Sequence, residues 1–270
     1  MSSQRRNRDS HRHSFDAQAR EFDRRAGLPP EVAQQIAESI VSMTTPNGDG
    51  TILELGAGTG QIGSDLATST EVGYIGLDLS HPMLAEFRNK VGPQTALVQA
   101  DASLPWPIAS KSIQSIFMAR SLHLLSVERV ADEALRVSAG NARILVGGVK
   151  RGADSLREQM RDRMRSLLRQ QGRQGRGRGS AAKKLFSVLA ERGAQQQPTV
   201  TAAEWVVAER PQDSLDSWAE KDGIAGIDVP AADKQTLLGD LRAWAESKFG
   251  DISSVQRSTE RYELQILHLP

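Results

Sequence analysis

The segment TILELGAGTGQIG, at residues 51–63, constrains the fold more than any other stretch of the chain. It begins with an apolar run, Ile52–Leu55, of the kind that forms a parallel strand buried on both faces. Three glycines follow at alternate positions, where the chain must turn into a helix and a ligand must approach the backbone: Gly56, Gly58 and Gly60. This order of strand, glycine loop and helix predicts an α/β protein with a mostly parallel sheet.

Two classes of ligand fit a loop that presents backbone amides at the start of a helix. The glycines at 58, 60 and 63 satisfy the GxGxxG pattern, and Asp78 follows about 20 residues later, as in a nicotinamide dinucleotide site. Glu54, however, places a carboxylate at the end of the strand. A negative charge there is poorly suited to a pyrophosphate but suits a ligand with an ammonium group and a sulfonium centre.

Four motifs in succession resemble those of the class I (Rossmann-like) S-adenosylmethionine-dependent methyltransferases. They are ELGAGTG at 54–60, GLDLSHPML at 76–84, ADASLPWP at 100–107 and SIQSIFMARSLHLL at 112–125. By pattern, the chain is similar to the small-molecule enzymes that include the methyltransferases of ubiquinone and menaquinone biosynthesis. The resemblance implies a seven-stranded, mostly parallel sheet with an antiparallel last strand. It also implies methyl transfer to oxygen, nitrogen or activated carbon of a small molecule, with S-adenosylhomocysteine as the product.

The resemblance also assigns residues to the cofactor. Those of the glycine loop are Glu54, Gly56, Ala57, Gly58, Thr59 and Gly60. Asp78 is expected to accept both ribose hydroxyls, because its two oxygens can do so together. The adenine is expected to lie between Leu79 or Met83 and the pair Asp101 and Ala102, with Ala119 at the end of the fourth strand.

His123 is the candidate catalytic residue, since a neutral imidazole can take a proton from an acceptor hydroxyl or amine. Alternatively, it caps the next helix and shapes the wall of the site. No metal is expected, because the carbon to be transferred is already activated by its positive sulfur.

The N-terminal part contains a repeated aromatic–aspartate pair, Phe15-Asp16 and Phe22-Asp23, followed by Arg24 and Arg25. In the resembling family such an element covers the cofactor. Phe22 would exclude water from the sulfonium, and Arg25 would reach the methionine carboxylate. An ordinary amphipathic helix packed on the sheet is the alternative. We expect a disordered basic tail over 1–13 and the cover over 14–48.

The rest of the chain is divided into a cofactor-binding core at 49–150, a basic helical insert or lid at 151–198, and strands and helices at 199–270 that complete the same domain. Residues 150–193 contain 13 Lys and Arg against four Asp and Glu, a net charge of +9, although the whole chain carries only +1. This charge indicates a solvated face, an anionic small substrate or an acyl carrier protein, or RNA or DNA binding by a protein with a methyltransferase-like fold. An NAD(P)-dependent oxidoreductase is the other alternative.

The local patterns also predict the elements. Strands are expected at 52–55, 72–77, 96–98, 113–118, 143–149, 200–207 and 261–269, and helices at 61–68, 127–137, 153–170, 180–192, 215–219 and 231–249. Gly140-Asn141 is expected to form the turn before the fifth strand. The chain has no cysteine and no apolar run of the ~18 residues that span a membrane, so we expect a cytoplasmic protein.

Overall fold

The computed structural model describes residues 16, 19, 23, 28–44, 50–69, 72–173, 180–221, 223–224 and 227–270. Its helices are α1 (Pro30–Thr44), α2 (Gly63–Thr68), α3 (His81–Arg88), α4 (Val127–Val137), α5 (Leu156–Gln170), α6 (Ser180–Ala190), α7 (Pro211–Ala219) and α8 (Ala231–Phe249), with a 3-10 turn at Leu122–Leu124. Its strands are β1 (Thr51–Leu55), β2 (Gly73–Asp78), β3 (Ala96–Gln99), β4 (Ile113–Ala119), β5 (Ser138–Arg151), β6 (Gln195–Glu209), β7 (Gly223–Ile224), β8 (Ile227–Asp228) and β9 (Gln256–His268).

Seven of these strands form one sheet in the order β3-β2-β1-β4-β5-β9-β6. The first five are joined by parallel ladders, in which Glu54 pairs with Gly76 on one side and Phe117 on the other. Parallel strands end at the same edge of a sheet, so β1, β2 and β4 bring their carboxyl ends together. The mostly parallel seven-stranded α/β sheet predicted from the sequence is confirmed, with β9 as its antiparallel strand.

Alternation along the strands explains how the sheet is covered. Leu53 and Leu55 pack into an apolar cluster with α4 and α6, whose Val130 and Leu185 are fully buried. Side chains at neighbouring positions of a strand point to opposite faces, so Glu54 faces away from this cluster.

The described residues fall into two compact units. One contains those within 1–148, 179–203 and 262–270, and the other those within 149–178 and 204–261. In the second unit, α5 begins at Ser155, whose hydroxyl accepts from the amide of Glu158. Its apolar stripe is buried as predicted and packs with Leu237 and Leu241 of α8: Leu156, Met160, Met164, Leu167 and Leu168.

The two helices of the predicted insert are buried in different apolar clusters. α6 buries Leu185 and Leu189 in the first unit beside α4, and Lys184 pairs with Glu128 there. α5 is buried in the second unit. The sequence pattern gave the buried face of each helix correctly but did not reveal which partner each face would find, because that choice depends on contacts distant in sequence.

The start of the fifth strand differs from its prediction. β5 begins at Ser138, immediately after α4, rather than at Arg143. The ladder with β4 is irregular between the pairs Ile113–Ser138 and Ser115–Arg143, and Asn141 has a φ of 62°. The expected turn is therefore an irregularity inside the strand, which Asn tolerates because it enters the left-handed region more readily than most residues.

Candidate functional site

The glycine loop after β1 is a tight bend whose amides are largely engaged within the protein. Gly56, Gly58 and Gly60 have φ values of 73°, 55° and 73°. The amides of Gly56 and Ala57 both donate to the carbonyl of Leu77, at 2.8 and 3.1 Å, and the amide of Gly60 donates to the carbonyl of Ala57. The loop thus closes onto the end of β2, and these three amides are not free for a ligand as the sequence suggested.

Gly60 is required by what lies against it as well as by its φ. A Cβ atom built on this residue would lie 2.2 Å from the ring of Phe87, which is fully buried on α3. No side chain fits at that distance. The loop and α3 are therefore in direct contact, and this contact fixes the bend beside the strand ends.

Asp78 connects the loop to the next helix. Its carboxylate accepts from the amide of Gly58 through Oδ2 and from the amide of Ser80 through Oδ1, both at 2.8 Å. Burial raises the pKa of Asp78, while the amides of Ser80 and Gly58 oppose that rise. Each carboxylate oxygen has a second lone pair, so both can still accept a hydroxyl. The arrangement is compatible with the predicted ribose contact and also gives Asp78 a structural role in the loop.

Glu54 lies below the loop in a buried pair with Tyr74. Tyr74 donates its hydroxyl to Glu54 Oε2 at 2.6 Å, and Glu54 is only 4% exposed. The pKa of Glu54 is raised to about 8, and burial is the largest cause of this rise. The hydrogen bond from Tyr74 opposes the rise, and the charge of Asp78 adds to it. At neutral pH the carboxyl is thus mostly protonated, whereas the sequence suggested a standing negative charge.

The residues expected beside the adenine follow β2 and β3. Ser80 caps α3, accepting from the amide of Met83, which is buried, while Leu79 is half-buried. Ala100 donates its amide to the carbonyl of Asp78, which places Asp101 and Ala102 next to the end of β2. Asp101 accepts from the amide of Ser103 at 2.8 Å through Oδ1. All four predicted residues therefore lie at the carboxyl edge of the sheet.

The end of β4 adjoins the same loop. Ser121 donates its hydroxyl to the carbonyl of Leu55 at 2.6 Å, which ties this segment to the end of β1. Ala119 is half-buried. His123 is exposed in the 3-10 turn that follows.

The N-terminal segment contacts the loop through its two aspartates. Thr59 donates its hydroxyl to Asp23 Oδ1 and Ser80 donates its hydroxyl to Asp16 Oδ1, both at 2.5 Å. Asp23 also pairs with Lys90. Phe22 and Arg25, the predicted cofactor contacts of this segment, lie outside the described residues.

Sequence reasoning did not single out Tyr74, Phe87 or Lys90 as parts of this site. Tyr74 was read only as a strand residue, although an aromatic with a hydroxyl on a buried strand generally needs a polar partner. That need, beside a buried glutamate on the neighbouring strand, is the signal that could have paired them. In the part of the chain that the structure describes, no group of three or more His, Cys, Asp or Glu side chains could hold a metal ion. No helix among the described residues is both long and apolar enough to cross a membrane.

The strand order, the glycine bend after β1 and the aspartate at the end of β2 together define a Rossmann-like fold, in which ligands bind at the carboxyl ends of the strands. Comparison with known proteins specifies the class. Residues 52–140, about a third of the chain, match the family model described as a methyltransferase domain. This core is a class I methyltransferase domain dependent on S-adenosylmethionine, as the sequence motifs indicated.

Solved structures with the same fold are distant in sequence. A candidate methyltransferase from Bacillus halodurans is 16% identical, with a TM-score of 0.55, over 87% of this chain and 98% of its own. The YcgJ protein from Bacillus subtilis is 16% identical, with a TM-score of 0.53, over 87% and 97%. A candidate methyltransferase solved with a methyltransferase activator from Haloferax volcanii is 14% identical, with a TM-score of 0.51, over 95% and 97%. At these identities the likeness shows the fold. A search of curated proteins finds no match to the chain.

Proposed function

We propose that this methyltransferase transfers the methyl group of S-adenosylmethionine to oxygen, nitrogen or activated carbon of a small-molecule acceptor in the cytoplasm. The observation that carries the proposal is the bond from the Gly58 amide to the Asp78 carboxylate within the matched domain. It joins the glycine bend to an acidic side chain at the end of β2, where a ribose with two free hydroxyls can be held.

The residues at the strand ends fit the chemistry of this cofactor. In the proposal Asp78 accepts from the ribose, Asp101 accepts from the adenine amino group, and Leu79 and Met83 border the ring. Glu54 would face the ammonium group, whose positive charge would lower the carboxyl pKa of about 8, so that the carboxyl releases its proton to solvent. Phe22 and Arg25 remain proposed contacts of the sulfonium and the methionine carboxylate.

The cofactor, when bound, supplies a methyl group on a positive sulfur, which takes the electron pair of the broken bond. The chain's contribution is to align the acceptor with that carbon and to exclude water, and alignment alone is worth up to about 7–11 kcal/mol in well-ordered systems. His123 is proposed to accept the acceptor's proton where the nucleophile is protonated, a contribution of about 10²–10⁴-fold.

Isothermal calorimetry with S-adenosylhomocysteine tests the proposal. Wild-type protein should bind it saturably, and Asp78→Ala should bind at least about tenfold more weakly, because the ribose acceptor and the anchor of Gly58 are both lost. Asp132→Ala is the matched control: Asp132 lies on the surface of α4 and forms an ion pair with Arg192. This variant should bind S-adenosylhomocysteine as the wild type does. Absence of saturable binding by the wild type would contradict the proposal, and unchanged affinity of Asp78→Ala would contradict the ribose assignment.

The basic run is less favourable to RNA than its sequence suggests. At least six basic residues within 150–193 form ion pairs with carboxylates: Arg151, Arg157, Arg165, Arg173, Lys184 and Arg192. A charge already paired within the protein contributes less to phosphate binding than a free one. The small-molecule acceptor therefore remains the proposal, and the dinucleotide alternative is set aside because the matched domain is a methyltransferase domain.

A further inference from the structure

A buried hydroxyl group on β9 has no function in the cofactor site described above. Tyr262 is 3% exposed, and none of the described residues forms a hydrogen bond with its hydroxyl. Buried polar side-chain atoms in folded proteins usually have a partner. The hydroxyl of Tyr262 is therefore a hydrogen-bond donor that does not stabilise the described part of the fold through a hydrogen bond.

The phenol ring of Tyr262 lies directly against the backbone of β5. A Cβ atom built on Gly147 would lie 2.3 Å from the hydroxyl oxygen, so only glycine permits this approach. Gly147 is paired with Ala119, the last residue of β4. The hydroxyl consequently lies near the carboxyl ends of β4 and β5, at the edge of the sheet where ligands bind in folds of this kind.

Arg120 directly follows Ala119, the residue of β4 that is paired with Gly147. It has a φ of 58°, and a non-glycine residue in this region of backbone space is typical of functional sites. Burial lowers the pKa of the Arg120 guanidinium, and its electrostatic interactions with Tyr262 and Asp23 oppose this shift. Its Nη2 atom lies 3.5 Å from Gln61 Oε1, beside the glycine loop.

The two groups have complementary chemistry. Burial and the nearby Glu54 raise the pKa of Tyr262, so the phenol stays protonated and donates. The guanidinium of Arg120 only donates and keeps its positive charge at physiological pH. Two donors and one positive charge at neighbouring positions of the sheet edge suit an oxygen atom that carries a negative charge.

We propose that Tyr262 and Arg120 bind an ionised oxygen of the methyl acceptor, which is therefore a small molecule with an acidic hydroxyl group, such as a phenol or an enol. This inference rests on the proposed function and names its substrate class. The acceptor's hydroxyl proton passes to solvent on binding, so an acceptor of this class does not need the base proposed at His123. The electron pair of the resulting anion forms the bond to the methyl carbon as the carbon–sulfur bond breaks, and that bond's electrons remain on sulfur.

Binding of para-nitrophenol to the full chain, saturated with S-adenosylhomocysteine to prevent turnover, tests this assignment. The absorbance of its anion gives both its affinity and its pKa when bound. The wild type should lower the pKa of the bound probe. Tyr262→Phe and Arg120→Gln should each weaken binding of the anion by about tenfold or more and return its pKa toward that of the free probe.

Matched variants separate this role from a structural one. Tyr262→Phe removes only an oxygen that has no partner among the described residues, so folding should not suffer. Arg143→Gln changes an arginine at the other end of β5, next to His268, and should leave probe binding unchanged. S-adenosylhomocysteine affinity, measured by calorimetry, should be the same in Tyr262→Phe, Arg120→Gln and the wild type.

The proposal is overturned if the wild type does not bind para-nitrophenolate saturably, or if both variants bind it as the wild type does. It is also overturned if Arg120→Gln loses as much affinity for S-adenosylhomocysteine as for the probe, because the guanidinium would then serve the cofactor. If the wild type does not bind S-adenosylhomocysteine, the proposed function itself is contradicted. If it binds S-adenosylhomocysteine but not para-nitrophenolate, only the acceptor class is contradicted.

Discussion

Glu54 couples protonation to both folding and ligand binding. Its carboxyl is enclosed by the sheet and α2, where a Cβ atom on Gly63 would lie 2.5 Å from Glu54 Oε2. Water cannot solvate a charge in that position, which is why burial is the largest cause of its raised pKa. A positively charged ligand group nearby would reverse this effect.

The pH dependence of stability follows from that shift. The pKa of Glu54 is about 8 in the folded protein and 4.5 in the reference state, so the folded protein holds the proton more tightly. The resulting stabilisation is complete below pH 4.5 and is lost as pH rises to about 8, by up to ~5 kcal/mol. Glu54→Gln has no such proton, so its stability relative to the wild type should rise by a few kcal/mol over this range. Urea unfolding of both proteins at about pH 5 and about pH 8 measures the change. A constant difference would show that Glu54 ionises normally.

His123, the candidate base, is exposed in the 3-10 turn that follows β4. If it accepts the acceptor's proton, His123→Ala should reduce turnover by about 10²-fold or more while S-adenosylhomocysteine affinity stays unchanged. Single-turnover kinetics and calorimetry on the same preparation provide the two measurements. An unaltered rate would show that His123 does not accept the proton and only lines the site.

At the scale of elements, side-chain hydrogen bonds attach the N-terminal segment to the glycine loop and to the start of α3. Asp16 and Asp23 are seven residues apart in the sequence, and each of them is helical. One binds the hydroxyl of Ser80 and the other that of Thr59. The two bonds span the loop and the start of α3.

Removing both attachments should loosen the cofactor without disturbing its contacts with the sheet. We expect the double variant Asp16→Ala and Asp23→Ala to release S-adenosylhomocysteine roughly tenfold faster, since two partly buried hydrogen bonds to carboxylates are lost. Displacement of the bound, labelled compound by an excess of unlabelled compound gives this rate. Asp162→Ala, which removes a surface ion pair with Arg165 on α5, is the control. Equal release rates in the double variant and the wild type would show that the segment does not retain the ligand.

The sequence predicted the elements well because periodicity and capping are local. The helices Val127–Val137 and Ala231–Phe249 begin and end at the predicted residues. Each strand of the seven-stranded sheet overlaps a predicted strand, but β5, β6 and β9 begin five residues earlier than predicted. The short β7–β8 hairpin was not predicted, since four residues are too few to show a period. The side-chain pairs of the site were also missed. Tyr74 with Glu54, and Tyr262 over Gly147, are set by strand pairing, which brings together residues far apart in sequence.

At the scale of the whole molecule, the residues assigned to the cofactor that the structure describes all lie in one of the two units. They come from β1, β2, β4 and the segments that follow β1, β2 and β3, between residues 54 and 119. The other unit supplies none of them. A ligand that binds only the folded site stabilises the structure that forms it, by about 2.7 kcal/mol at 100 times its Kd.

Hydrogen exchange should therefore respond unequally along the chain. With S-adenosylhomocysteine at about 100 times its Kd, amides of 50–69 and 72–123 should exchange more slowly, by up to roughly 100-fold where exchange requires opening of the site. Amides of 204–221 and 227–261 should change little, because local opening there leaves the assigned contacts intact. Asp78→Ala at the same ligand concentration should show a much smaller effect and serves as the control. Comparable protection of the second unit would mean that the ligand is bound by residues other than those assigned at the strand ends.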